Sequence, residues 1–160
     1  MTLKPIGVIH SPNQREAGTP IQPCWAEHIE GRVEVFPEFA AGLKDLEGFE
    51  RIWLMYWFDR AAQSELLVKP YLDDTARGVF ATRAPCRPNP IGLSAVRLLK
   101  IEGRMLYVAG LDVLDQTPLL DIKPYAPEFD CYTVERTGWL GHRQSTQTTA
   151  DQRFLKPQTI

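Results

Sequence analysis

Apolar positions along the chain recur mainly at a spacing of two or in short blocks, which is the pattern of strands rather than of helices. Residues 6–9 form a short apolar block closed by Ser11 and Pro12, and Ile29, Val33 and Val35 keep an even spacing until Pro37 stops the run. Residues 51–59 (RIWLMYWFD) are continuously apolar and aromatic, which predicts a strand buried on both faces. Residues 78–82 (GVFAT) predict another strand. Residues 93–101 and 105–111 flank Glu102-Gly103-Arg104, a hairpin signal. Residues 40–46 are the best short-helix candidate, ended by Gly48.

Strands outnumber helices and do not alternate with them as βαβ units would, so a doubly wound nucleotide-binding sheet is not expected. The expectation is an all-β chain: a single-sheet barrel of about six to eight strands with one short helix, because closure leaves no exposed strand edge. From Thr137 onward the composition turns polar (GHRQSTQTTADQR). The predicted organisation is therefore a barrel domain over 1–136 and a polar tail over 137–160. That tail is expected to be disordered or laid on a partner subunit, with Trp139, Leu140, Phe154 and Leu155 available to pin its ends.

Composition narrows the class. A chain of 160 residues, 44% of them hydrophobic, can bury a core without a metal or disulfide staple. Cys24, Cys86 and Cys131 are odd in number and without CxxC spacing, which predicts neither a disulfide scaffold nor a cysteine zinc site. His10, His28 and His142 show no ligand spacing, so no metal is expected. The longest apolar run, residues 52–58, is seven residues, too short to span a bilayer, and the N-terminus lacks an apolar signal segment. A cytoplasmic protein with no membrane association is the expectation.

Charge changes the picture locally. Residues 1–76 carry 7 basic and 12 acidic side chains, residues 77–104 carry 6 and 1, and residues 105–160 carry 5 and 7. The positive band reads either as an anion site or as a strand set whose arginines face solvent. Within it, RAPCRPNPIG (83–92) holds three prolines that fix their own φ and bias their predecessors toward extended geometry. Arg83, Arg87 and Asn89 would lose little entropy on engaging a ligand there, and Gly92 permits a close approach by a ligand or another backbone. The plainer alternative is a proline-rich turn joining two strands. A second feature, DVLDQTPLLDIKPY (112–125), gathers Asp112, Asp115, Asp121, Lys123 and Tyr125 around two prolines. A turn at 115–118 would bring Asp112 and Asp115 to one side, where carboxylates accept from ribose hydroxyls or an amine; equally, Asp115 is a turn former before Pro118. Lys123, two residues from Asp121, is placed for an ion pair. GxSxG, Walker A and GxGxxG signatures are absent.

Together with IGVIHSP (6–12) and FERIWLMYWFD (49–59), the stretches GVFATRAPCRPNPIGLS and GLDVLDQTPLLDIKPY resemble the TsaA-like family, which includes tRNA adenine-37 N6-methyltransferases; the resemblance runs from about residue 4 to 127. It implies a β-barrel, S-adenosylmethionine bound near a homodimer interface, and methyl transfer to N6 of threonylcarbamoyl-adenosine in tRNA. Carried across by position, it implies cofactor contacts at Pro20, Ile21, Gln22, Phe58, Asp59, Arg83, Leu93 and Asp112, Val113, Leu114 and Asp115. For such a transfer we expect Arg83 to meet the donor carboxylate, and Asp112 and Asp115 to meet ribose, adenine or amine. Asn89 would orient the acceptor N–H, Asp121 or Tyr125 would take its proton, and Arg87, Arg97 and Lys123 would meet phosphates. Three departures stand out: Gln116 occupies the place of a glycine common in the family, CWAEHIE after Pro23 does not follow the usual pattern, and a polar tail stands where bacterial members carry a further domain. Two other functions stay open at this point: a methyltransferase of the same fold acting on a small molecule or another RNA, and a non-catalytic module that binds the methyl donor and regulates a partner.

Overall fold

Alternation of buried and exposed side chains builds the sheet. A computed structural model of the chain describes residues 2–143 and 145–154. Its strands are β1 (Gly7–His10), β2 (Glu30–Val35), β3 (Arg51–Trp57), the short β4 (Leu67–Val68) and β5 (Arg77–Gly78), β6 (Ile91–Glu102), β7 (Met105–Ala109) and β8 (Thr117–Pro124). Six of them close an antiparallel barrel in the order β1-β2-β7-β6-β3-β8, and β4 pairs with β5 alone. The barrel interior is filled by Ile9, Val33, Ile52, Leu54, Val96, Leu106, Val108 and Leu119, all fully buried. The predicted hairpin is the β6–β7 pair. Its two-residue loop puts Gly103 first, at φ 62, where a twist matching the strands needs a glycine.

Several elements differ from the expectation for physical reasons. β3 is buried on one face only: Ile52, Leu54 and Tyr56 point inward, while Trp53, Met55 and Trp57 are half-buried on the outside. Of residues 78–82 only Gly78 is in a strand, as the end of β5; Val79–Ala81 form a 3-10 turn. Arg87 Nη1 donates to the carbonyls of Val79 (3.0 Å) and Thr82 (2.9 Å), so this segment's acceptors go to a side chain rather than to a ladder. The helix candidate at 40–46 resolves into 3-10 turns, Pro37–Leu43 and Leu46–Gly48, interrupted by Asp45 in the left-handed region (φ 67). The one α-helix among the described residues, α1 (Pro127–Asp130), is a single turn. β8 was hidden in the sequence by Pro118 and Pro124, which demote a run from strand status; a bulge between Met55 and Tyr56 of β3 adjusts its pairing.

A second cluster, Val68, Val79, Ala84, Cys86 and Phe154 with Tyr71 against it, lies outside the barrel. Phe154 brings the C-terminal segment back onto its own chain, with its side chain buried in this cluster. Leu155 lies outside the described residues.

Candidate functional site

The inner face of β6 reads Gly92, Ser94, Val96, Leu98, and Ser94 is the one polar side chain in that row. It is fully buried and satisfied on both sides. Ser94 Oγ donates to Asp112 Oδ1 at 2.6 Å. A hydroxyl has one proton to give, so the Tyr56 hydroxyl, 2.9 Å from Ser94 Oγ, is the donor of that second bond. The Tyr56 ring lies against Gly92, its register partner, in the space a Cβ would need. Close approach to Gly92 is thus made by the protein's own aromatic ring. Gly92→Ala is expected to cost about 1–3 kcal/mol from overpacking, read in thermal denaturation at roughly 2–4 °C per kcal/mol; an unchanged midpoint would mean that the ring can move away.

Phe58 packs edge-on against Tyr56, with ring centroids 5.3 Å apart, and its N–H donates to Pro90 O at 2.7 Å, tying the end of β3 to the proline loop. Arg83 Nη1 donates to Gln22 Oε1 at 2.6 Å. The Arg83 charge also acts on both Asp112 and Tyr56. Gln22, Phe58, Arg83 and Asp112, all expected in the site, therefore converge at one mouth of the barrel around a tyrosine and a serine. Burial pushes the Asp112 carboxyl up to about 6, against the Ser94 bond and the Arg83 charge. Burial and the neighbouring Asp112 charge drive Tyr56 well above the usual tyrosine range, so it stays a hydroxyl donor.

Asp115 is occupied differently. Burial works to raise its pKa, but bonds from Ser11 N–H (3.0 Å), Gln14 and Gln116 outweigh this and hold it low. It locks the loop after β1 to the turn before β8, the turn-forming role. Gln116, at φ 62, holds a left-handed position that favours glycine and reaches His10 Nδ1 at 3.0 Å. Arg60, to which no sequence motif points, joins the two pieces of the expected site. Its Nη2 donates to Asp115 O (2.7 Å) and Thr117 Oγ1 (2.9 Å), and its Nε lies 3.4 Å from the Asp59 carboxylate. Val113 is core, Leu114 is half-buried, Pro20 is buried and pairs with Thr149, and Ile21 donates its N–H to Thr148 O.

The remaining expected residues stand elsewhere. Leu93 and Arg97 face outward on β6, opposite to Ser94. Asp121 and Lys123 form the expected ion pair, 2.8 Å apart with both side chains about half exposed. Tyr125 packs on Trp53, centroids 5.6 Å apart. Trp53, the neighbour of Lys123 and Tyr125, is five strand positions from Phe58, roughly 16 Å, whereas Asp121 lies across from Met55, three positions or roughly 10 Å away. Asn89 is exposed at the tip of the proline loop. Arg87 staples residues 79–84 and lies 5.8 Å from the exposed Phe80 ring, an arrangement that holds the loop instead of presenting a free cation. Two surface hollows, of about 430 and 400 Å³, lie beside Phe39–Leu46–Asp121 and beside His10–Arg32–Gln116; neither contains the mouth cluster.

The model of the tRNA-methyltransferase O N-terminal domain matches residues 8–131. A probable S-adenosyl-L-methionine-binding protein of Pyrococcus abyssi is 57% identical over 86% of this chain and 74% of its own length. The tRNA (adenine(37)-N6)-methyltransferase of Mus musculus is 37% identical over 81% of this chain, which spans only 32% of that enzyme. A crystal structure of TrmO from Pseudomonas aeruginosa superposes with a TM-score of 0.72 at 38% identity, covering 86% of this chain and 62% of that one.

Proposed function

The chain belongs to the tRNA-methyltransferase O family, and from that premise we propose that it is an S-adenosylmethionine-dependent methyltransferase acting on N6 of adenosine 37, or its threonylcarbamoyl derivative, in tRNA. The observation that carries the reading is the mouth cluster. Its donor set fits the methyl donor: a carboxylate with a raised pKa for hydroxyls or an amine, a guanidinium for a carboxylate, an amide, and an aromatic ring for a flat base. When bound, S-adenosylmethionine supplies a methyl group on a positively charged sulfur, which departs as a neutral thioether as the acceptor nitrogen takes the methyl and sheds one proton.

This chain's residues position and desolvate. Arg83 exchanges Gln22 for the donor carboxylate, and Asp112, oriented by Ser94, takes ribose hydroxyls or the amine. Phe58 offers a ring to the adenine. Keeping Asp112 off the sulfur avoids stabilising the ground state. Asn89 orients the acceptor N–H. Asp121 or Tyr125 would receive the proton across a two-fold interface, so the reading includes a homodimer. Its interface is the outer face of β3, β6 and β8. There Ile91 and Leu93 are 39% and 48% exposed beside half-buried Trp53, Met55 and Trp57. Arg97 and Lys123 border this face and would meet phosphates. We place the protein in the cytoplasm, with its tRNA.

The test is incubation with labelled donor and tRNA lacking its own position-37 methyl. Label on tRNA, lost on Asp112→Ala, supports the reading. Label only in a small-molecule extract moves the acceptor. Binding without transfer favours a donor-binding module, the reading that a Pyrococcus relative described as a probable S-adenosyl-L-methionine-binding protein supports.

A further inference from the structure

The matched family region ends at residue 131, yet the segment 148–154 touches three of the loops that carry the mouth cluster. Against the 18–21 stretch it adds a short antiparallel pairing centred on Pro20 and Thr149. Gly18 N–H donates to Ala150 O (3.0 Å), Ala150 N–H to Thr19 O (2.7 Å), and Ile21 N–H to Thr148 O (3.0 Å). The next residue, Gln22, is the partner of Arg83. Beyond the end of β3, Ala62 N–H donates to Phe154 O at 2.9 Å. The Phe154 side chain is buried against Val79, Ala84 and Cys86, the turn and loop on either side of Arg83. Upstream in the same tail, Trp139 Nε1 donates to Ala81 O at 2.7 Å.

The anchor is built on both sides. Tyr71 stacks edge-on with Phe154 (5.1 Å) and carries the Arg153 guanidinium over its face (5.0 Å). Arg153 also donates to Pro70 O (2.9 Å) and pairs with Asp151 (2.6 Å). Tyr71 OH donates to Glu16 Oε1 at 2.8 Å, which ties the start of the 16–22 loop to the same anchor.

We propose that residues 148–154 are a strap that holds the Pro20–Ile21–Gln22 segment, the residues after Phe58 and the Arg83 loop in register, making Phe154 and the 148–150 backbone positioning elements for methyl-donor binding. The inference rests on the reading of the barrel mouth as the donor site. The physical reason is entropic. The 11–29 and 58–90 connections carry almost no regular structure, and ordering them at the moment of binding would cost affinity that a strap removes in advance. Because the strap touches neither Asp112 nor Asn89, its loss should weaken donor binding and leave the chemical step intact.

The test uses the full chain with Ala150→Pro, which deletes the N–H given to Thr19, and with Phe154→Ala and Phe154→Leu. Amide exchange without donor reads the hold on Gly18 and Ile21, calorimetry reads donor affinity, and turnover at saturating donor reads kcat. The expected result is exchange at Gly18 and Ile21 faster by tenfold or more in Ala150→Pro and Phe154→Ala. Donor Kd should rise about tenfold, with kcat within twofold, and Phe154→Leu should restore both. Unchanged exchange, or faster exchange with unchanged donor Kd, overturns the proposal. If Phe154→Ala unfolds by circular dichroism, Ala150→Pro alone decides. If the parent protein ignores the donor, the proposed function falls and the positioning claim falls with it, while exchange still separates that failure from a strap that holds nothing.

Discussion

Replacing Asp112 with alanine is expected to weaken methyl-donor binding by roughly 10–100-fold, the loss of a charge-assisted hydrogen bond worth about 1.5–3 kcal/mol. Ser94 donates to Asp112 at 2.6 Å and Tyr56 donates to Ser94 at 2.9 Å, so the carboxylate is aimed by a buried chain rather than left to solvent. Ser94→Ala should reach part of the same loss by removing the aim while keeping the charge, and should also destabilise the fold by leaving the Tyr56 hydroxyl unpaired. The pH dependence identifies the group. Asp112 titrates at about 6 in the folded protein, raised from 3.8 by burial. The folded state therefore binds more protons than the unfolded chain between these values, and the Asp112 contribution to stability falls as pH rises through that window. Donor affinity should move the other way, since only the ionised carboxylate accepts from hydroxyls and amine without giving up an acceptor site. Calorimetry from pH 5 to 7.5 should show affinity rising toward neutrality and levelling above about 6.5. Asp112→Asn should flatten both curves. A parent curve parallel to that of Asp112→Asn would assign the pH dependence to another group.

How far such a site was legible depends on which physical signal each residue carries. Arg83, Asp112 and Phe58 stand in stretches of unusual composition, and the structure brings them together with Gln22. Ser94 and the Tyr56 hydroxyl carry no site signal in the sequence because each sits inside an apolar run where hydrophobicity alone decides the reading. Once β6 is known to alternate, a lone serine among Gly92, Val96 and Leu98 becomes the visible exception, but alternation is only sure when the partner strands are known. Arg60 was invisible for a different reason: it acts through the Asp115 carbonyl and the Thr117 hydroxyl, far away in the chain, and no sequence spacing encodes that. The barrel was legible because closure follows from many short strands with few helices. β8 was not, since its prolines carry the local signal of a loop while its pairing with β1 and β3 is set by tertiary contact. The tail illustrates the same limit. Its polarity predicts solvation, yet one phenylalanine at position 154 and a few backbone bonds fold it onto the chain.

On the dimeric reading proposed above, Leu93→Glu is expected to convert a dimer into a monomer and to lower methyl transfer by about a hundredfold or more while leaving the barrel folded. Leu93 lies directly across from Met55 on the outward face, with Ile91, Trp53 and Trp57 around it. In a lone chain a glutamate there stays in water, because the position is already half exposed, so the thermal midpoint should shift by only a few degrees. At an isologous interface the substitution enters twice, and each carboxylate loses its water beside apolar neighbours, a cost of several kcal/mol per ion in a desolvated setting. Sedimentation at micromolar concentration should then report a single chain. Activity should fall further than donor affinity, because in the proposed dimer Asp112, Arg83 and Phe58 would stay on one chain while Asp121 or Tyr125 would reach the acceptor from the other. That split, a modest change in donor Kd with a large loss in kcat, separates a shared site from general damage. A Leu93→Glu protein that remains dimeric would move the interface off this face. A monomeric one with full turnover would place proton removal within a single chain, and Asn89 with the proline loop would then have to complete the site without Tyr125.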